Sequence, residues 1–234
     1  MGCIRSAWIW CKRFRHRKGY GVHSPFAFNL ITWVIYEKLP YYKFPELKRK
    51  RKEQLKSCRH RLSDRAYRTT KIDELLFRLV NYTHPTTLLE IGTSSGLSVL
   101  YMSTVGKSVR CISVDKVSEM NDFARRLLQN SENVEFHVGD ISQCLPDIIA
   151  SLQSIDFLHL NYPYASDAVF EECLSKVQPS TVMVVEGIHA SKEMLKWWNK
   201  AINDERVGIT FDLYSVGIIF FDKTKIKQYY IVNF

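Results

Sequence analysis

Apolar residues recur along this chain with two different periods, and the change from one to the other divides it. Residues 25–36 collect Phe26, Phe28, Leu30, Ile31, Trp33, Val34 and Ile35, with Ser24 placed to cap and Pro25 at the first turn. This pattern predicts a helix with a broad apolar face. Past the aromatic bend at 40–45, residues 46–62 are nearly all charged, which predicts a second helix lying on a surface. Residues 63–70 read as a linker. Ile72, Leu75, Leu76, Leu79 and Val80 then mark a third helix that stops near 81–84, ahead of Pro85.

From residue 87 short apolar runs alternate with helical spacing, the pattern of a parallel sheet covered on both faces. Strands are predicted near 87–91, 110–114, 133–137, 155–160 and 181–185, and helices near 95–104, 118–129, 141–152, 165–176 and 189–202. The alternation breaks at the end. Runs 209–214 and 216–221 are separated only by Ser215, close enough for an antiparallel pair alone. The predicted fold class is therefore α/β: a Rossmann-like, doubly wound, mostly parallel seven-stranded sheet ending in an antiparallel hairpin. Residues 1–70 form an N-terminal helical extension or cap, and residues 71–234 form the α/β domain.

Charge sharpens that division. Residues 1–72 hold 19 Lys and Arg against 4 Asp and Glu, a net of +15, whereas residues 73–234 hold 14 against 20, a net of −6. A basic front of this kind can meet nucleic acid or an anionic membrane, or can simply be the solvated face of a cap. The breadth of the apolar face at 25–36 favours the cap. Six cysteines without a Cys-x-x-Cys pair indicate neither a disulfide framework nor a zinc site, and a reduced, cytoplasmic setting is the expectation. The first six residues formally fit an acylation pattern.

In such a sheet a ligand sits beyond the carboxyl ends of the strands, where the strand order reverses. The turn after the first strand reads Glu90-Ile91-Gly92-Thr93-Ser94-Ser95-Gly96. Gly92 and Gly96 permit a sharp turn and close backbone approach, while Thr93, Ser94 and Ser95 bring hydroxyls and amides near a helix start. Glu90 offers a carboxylate to an ammonium group. Asp115, about twenty residues past the glycines, can accept both hydroxyls of a ribose. Asp140, in Val138-Gly139-Asp140, can reach an exocyclic amine. Either aspartate would also suit a helix cap or a turn. Their order on successive strands is what favours a nucleotide-like ligand.

With these residues in place, the chain resembles the class I S-adenosylmethionine-dependent methyltransferases. Segments 19–26, 75–82, 187–191 and 217–221 are similar to a Bacteroidetes branch of that family described generally as O-methyltransferase-like, and the likeness runs from residue 18 onward. It implies a bacterial, cytoplasmic enzyme with S-adenosyl-L-methionine as cofactor and a small-molecule acceptor, and it argues against N-terminal acylation. The methionine carboxylate would lie at the 92–96 turn and its ammonium at Glu90, the ribose at Asp115 and the adenine amine at Asp140.

The departures from the family bear on chemistry. Metal-dependent relatives hold a divalent cation through an Asp after the fourth strand and an Asp-Asp or Asp-Asn pair after the fifth; here those positions are Asn161 and Glu186-Gly187. With so few carboxylates, the expectation is a metal-independent or catalytically degenerate enzyme. Residues 63–70 lack a family-like segment ahead of the first helix, so part of the substrate pocket is expected to differ. His189, Asn161 and Glu186 are the candidate catalytic residues. His159, on the fourth strand, fits a packed and hydrogen-bonded histidine. Two other functions stay open. Asn161-Tyr162-Pro163-Tyr164 resembles the Asn-Pro-Pro-Tyr loop of amino-group methyltransferases, which with the basic front would mean a nucleic acid or protein substrate. The chain could also be a non-catalytic binding protein on the same fold.

Overall fold

Strand β1 (Thr87–Ile91) shows why the sheet is central: four of its five residues are buried, and Leu88 and Leu89 point into different cores on opposite faces. A computed structural model of the chain describes residues 8, 9, 11–16, 18–58 and 70–234, and the linker and acylation readings lie outside the described residues apart from Thr70. Strands β2 (Arg110–Asp115), β3 (Val134–Val138), β4 (Ile155–Leu160) and β5 (Val177–Glu186) pair in parallel with β1 in the order β3-β2-β1-β4-β5. The order reverses between β1 and β4. Strand β7 (Val216–Phe220) runs antiparallel between β5 and β6 (Thr210–Asp212).

The sheet has eight strands, not the predicted seven. The extra one, β8 (Tyr229–Ile231), is parallel to β6 at the edge, and backbone bonds from Thr210 to Gln228 and from Val232 to Asp212 anchor it. Three residues, half-exposed and following a Lys-rich loop, carry too little periodicity to be read as a strand. Strand β5 likewise starts at Val177, ahead of the predicted 181, through one pairing with Ile155 before a register shift.

Helices fill both faces. Helix α1 (Pro25–Leu30) is capped by Ser24, whose hydroxyl accepts the Ala27 amide, and it continues as a π-helical turn over Ile31–Ile35. Its face of Ala27, Leu30, Ile31, Val34 and Ile35 joins the same core as Leu88, Phe157, Val182 and helix α3 (Thr70–Thr83). Buried Arg78 of α3 donates to the carbonyls of Val34 (2.7 Å) and Ile35, meeting acceptors that the π-helical end leaves open. Phe28 and Trp33, predicted on the apolar face, are exposed instead.

Helix α2 (Phe44–Ser57) corrects the expectation of a purely surface helix over 46–62. It is basic outside, but Phe44, Leu47, Arg51 and Gln54 form a buried stripe at helical spacing. Polar residues can lie there because their donors are met: Arg51 pairs with fully buried Asp73 of α3 at 2.9 Å, and Gln54 donates to the carbonyls of Ser95 (2.7 Å) and Phe123 (3.1 Å). The helix thus braces the turn that follows β1. Helices α4 (Leu97–Ser103), α5 (Ser118–Leu127), α6 (Ile141–Ser151), α7 (Asp167–Leu174) and α8 (Lys192–Asn203) complete the layers, with α6, α7 and α8 covering the Leu89 face. Among the described residues no helix is long and apolar enough to cross a membrane, and five cysteines are free.

Candidate active site

The carboxyl ends of β1, β2, β4 and β5 bring the candidate residues to one edge. After β1 the backbone enters the left-handed region three times, at Gly92 (φ +100°), Ser94 (+48°) and Gly96 (+76°), which turns the chain straight into α4. A side chain at Gly96 would meet Cβ of Ala124 at 2.7 Å, so the missing Cβ lets α5 pack against the turn. At Gly92 a Cβ would lie 2.7 Å from the Tyr164 ring and 2.8 Å from Asn161. Both spaces expected to admit a ligand are lined by protein.

Asp115, 3% exposed at the end of β2, is bonded directly to the turn. Its Oδ2 accepts the Ser94 amide at 2.8 Å; its Oδ1 accepts the Val117 amide at 3.1 Å and the Tyr164 hydroxyl at 2.7 Å. Burial, and then the bond and charge of Asp115, push the Tyr164 phenol well above its ordinary pKa, so it remains a donor. The Gly96 amide is spent on the Thr93 carbonyl.

Glu90 and Thr93 face inward. Both are fully buried. Ser113 donates to Glu90 Oε2 at 2.5 Å and therefore accepts from Thr93, 2.7 Å away. Glu90 Oε1 meets His159 Nδ1 at 3.0 Å, and His159 Nε2 meets Glu186 Oε1 at 2.9 Å. The result is one buried chain, Thr93–Ser113–Glu90–His159–Glu186, running across β2, β1, β4 and β5. Burial alone would lower the imidazole pKa, but the bonds to Glu186 and Glu90 outweigh it and raise the value. An imidazolium is the form that gives each carboxylate a donor. His159 is thus the packed histidine that strand alternation predicted. Glu90, expected to face a ligand ammonium, has both oxygens engaged inside the protein.

The loop after β4 lies across the same edge. Asn161 donates its side-chain amide to the Gly92 carbonyl at 3.1 Å, and the Tyr164 amide returns to the Asn161 carbonyl at 2.9 Å. Tyr162 packs on Gly187, where a Cβ would come within 2.9 Å of it. Asp140 is exposed beyond β3 and caps α6, with Oδ1 accepting the Ser142 amide at 2.9 Å; bonds from Ser142 lower its pKa. The cap role is therefore present at Asp140, in a position that leaves the carboxylate open to solvent.

His189, two residues past Gly187, belongs to a second cluster that periodicity did not reveal. Its Nε2 lies 2.8 Å from Asp212 Oδ2, and its ring stacks on Tyr214 with centroids 4.7 Å apart. Asp212, 2% exposed at the end of β6, also accepts from Arg13 (2.7 Å), the Tyr229 hydroxyl (2.8 Å) and the Tyr214 amide (2.7 Å). Burial would raise its pKa, but the bond to His189 and the Arg13 charge prevail and hold it at about 2. Arg13, one of the basic cluster at the front of the chain, is committed to this carboxylate.

Residues 89–188 match a family model described as a methyltransferase domain. Among solved structures, an O-methyltransferase from Bacillus cereus in complex with SAH superposes with a TM-score of 0.60 at 17% identity, over 80% of this chain and 95% of its own. The chain has the methyltransferase fold. A methyltransferase from Geobacter sulfurreducens (TM-score 0.59, 19% identity, 79% of this chain and 92% of its own) shares it. So does the O-methyltransferase TomG from Streptomyces achromogenes, in complex with SAM (TM-score 0.59, 16% identity, 78% and 91%). No curated protein sequence matches the chain. Within the methyltransferase fold, the matched span runs from β1 to the residue before His189, and so contains the turn, Asp115, Asp140, the 161–164 loop and Glu186.

Proposed function

We propose that the chain is an S-adenosylmethionine-dependent methyltransferase that acts on a small-molecule oxygen acceptor without a metal ion. One observation carries this reading: buried Asp115 stands at the end of β2 and is tied to the left-handed turn after β1, next to the point where the strand order reverses. The residue types fit the cofactor. Asp115 would take the ribose diol, Asp140 the adenine amine, and the turn from Gly92 through Thr93, Ser94 and Ser95 to Gly96 would cradle the methionine end, where Ser94 is the residue not buried. Glu90 would act through its charge beneath the turn rather than by contact. The cofactor would supply a methyl group already activated as a sulfonium. What remains for the chain is alignment, exclusion of water and removal of a proton from the acceptor.

His189 is the proposed proton acceptor. With Nε2 turned to Asp212, Nδ1 is the nitrogen left for substrate, and the stacked Tyr214 fixes the ring plane. Asn161 would hold the loop to Gly92, and Glu186 would anchor the buried His159. These commitments also support the metal-free reading, since Asn161 presents a donor to a carbonyl and Glu186 is engaged by an imidazole.

Calorimetry with S-adenosylmethionine and its demethylated product tests the cofactor reading. Asp115→Ala should weaken binding by about 1–3 kcal/mol, roughly five- to 150-fold, as expected for a lost hydrogen-bond partner with charge. Unchanged affinity would remove the ribose role. Titration of the protein with magnesium or calcium chloride should show no stoichiometric site; saturable binding lost in Glu186→Gln would overturn the metal-free assignment.

A further inference from the structure

The geometry points to Tyr164 as an internal occupant of the ribose site, a side chain that the cofactor must displace in order to bind. This rests on the cofactor reading above and adds a gate to it. Three observations converge. The first is an acceptor count at Asp115. A carboxylate offers about four acceptor positions, and three are filled: Oδ1 by the Tyr164 hydroxyl at 2.7 Å and the Val117 amide at 3.1 Å, Oδ2 by the Ser94 amide at 2.8 Å. A ribose diol needs two. The two amides are backbone groups fixed by the turns that hold them, so the hydroxyl of Tyr164 is the one donor that can leave without unfolding an element.

The second observation is steric. Gly92 bears no side chain, and the space so left open is taken by the Tyr164 ring, with Cδ2 at 2.7 Å and Cε2 at 2.9 Å from where a Cβ would stand. Ring and hydroxyl together cover the glycine and the carboxylate, the two features of the edge best suited to a nucleoside. The third is the way the loop is held. Its base is pinned, by Asn161 to the Gly92 carbonyl and by the Tyr164 amide to Asn161, while the Tyr164 side chain itself is only half-buried. Rotation of that side chain opens the site and leaves the loop in place. Tyr162 of the same loop rests on Gly187, two residues before His189. The gate therefore lies on the segment that joins the cofactor side of the edge to the acceptor side.

A closed gate lowers apparent affinity by the fraction of molecules that are open. The test is calorimetry of the full chain with S-adenosylhomocysteine, comparing wild type, Tyr164→Phe and Tyr164→Ala, with thermal unfolding of each to show that it is folded. Tyr164→Phe keeps the ring and removes the competing hydroxyl, and should bind about tenfold tighter, the order expected when a hydrogen bond to a charged group no longer holds the closed state. Tyr164→Ala clears the Gly92 face as well and should bind at least as tightly. Equal or weaker binding by both variants, with wild type binding, would overturn the gate and make Tyr164 part of the cofactor pocket. If none of the three binds, the cofactor reading itself fails and the gate falls with it.

Discussion

His159 and His189 each meet a carboxylate of very low exposure at the same edge of the sheet, yet their surroundings assign them opposite tasks. His159 is fully buried between Glu90 and Glu186, both ring nitrogens are engaged, and the chain of bonds continues inward to Ser113 and Thr93. Nothing can reach it, and its raised pKa stabilises a charge that two carboxylates require. His189 uses one nitrogen on Asp212 and keeps its ring partly exposed, stacked on Tyr214. The difference lies in who else serves the carboxylate. Besides His159, Glu90 accepts from the neutral Ser113 hydroxyl, whereas Asp212, besides His189, accepts from the Arg13 guanidinium, the Tyr229 hydroxyl and the Tyr214 amide. His189 therefore keeps Nδ1 for a group outside the cluster, in keeping with the role proposed for it.

The largest expected effect is at His159. Replacement by Leu leaves two buried carboxylates facing an apolar group and should cost about 3–5 kcal/mol in chemical denaturation, the loss typical of one partner removed from a buried ion pair. Because the folded pKa of His159 is raised, its contribution is complete below the ordinary histidine value and is lost as pH rises through the higher folded value. The gap between wild type and variant should therefore narrow on the alkaline side. A small, pH-independent loss would show that the buried chain is not an ion-paired one.

Asp212→Asn comes next. A carboxyl held at about 2, against an ordinary 3.8, is worth about 2 kcal/mol at neutral pH. The depressed value sets the sign: this stability is present above about pH 4 and disappears as pH falls toward 2. Urea unfolding of wild type and variant at pH 7 and pH 2.5 should show the difference shrinking, and a constant difference would mean that packing rather than charge is at stake. The smallest effect is expected for His189→Ala, below about 1 kcal/mol, since a partly exposed ring is removed from a carboxylate with three other donors. A loss as large as that at His159 would erase the contrast between the two histidines and make His189 structural.

Much of the fold was legible because each β-α unit carries its own period. The five parallel strands, the closing antiparallel pair, the cap at Ser24 and the third helix all follow from neighbours in the chain. The placing of Asp115 beside the turn could be read from strand order alone. Other features had no such signal. Helix α2 looks wholly solvated, because Arg51 and Gln54 are residue types that lie inside only when particular distant groups await them, here Asp73 and the Ser95 carbonyl. Asp212 in Phe-Asp-Leu resembles any acid near a strand end until Arg13, 199 residues away, is seen to reach it. Tyr164 stood out only as the last residue of the Asn161-Tyr162-Pro163-Tyr164 loop, with nothing local to tie it to Asp115.

The amino-acid sequence by itself determined the order of elements, the methyltransferase fold and the acids Glu90, Asp115, Asp140 and Glu186 near the strand ends, because hydrophobic period and turn chemistry act over a few residues. Tertiary structure alone decided which of those groups remain open to a ligand. Glu90 is closed by His159, 69 residues on, Gly96 by Ala124, and Asp115 by Tyr164, 49 residues on. A hydrogen bond across such a separation leaves no local pattern. It forms because the sheet brings the carboxyl ends of its strands to one edge, where polar groups withdrawn from water must find partners among whatever side chains the other strands deliver.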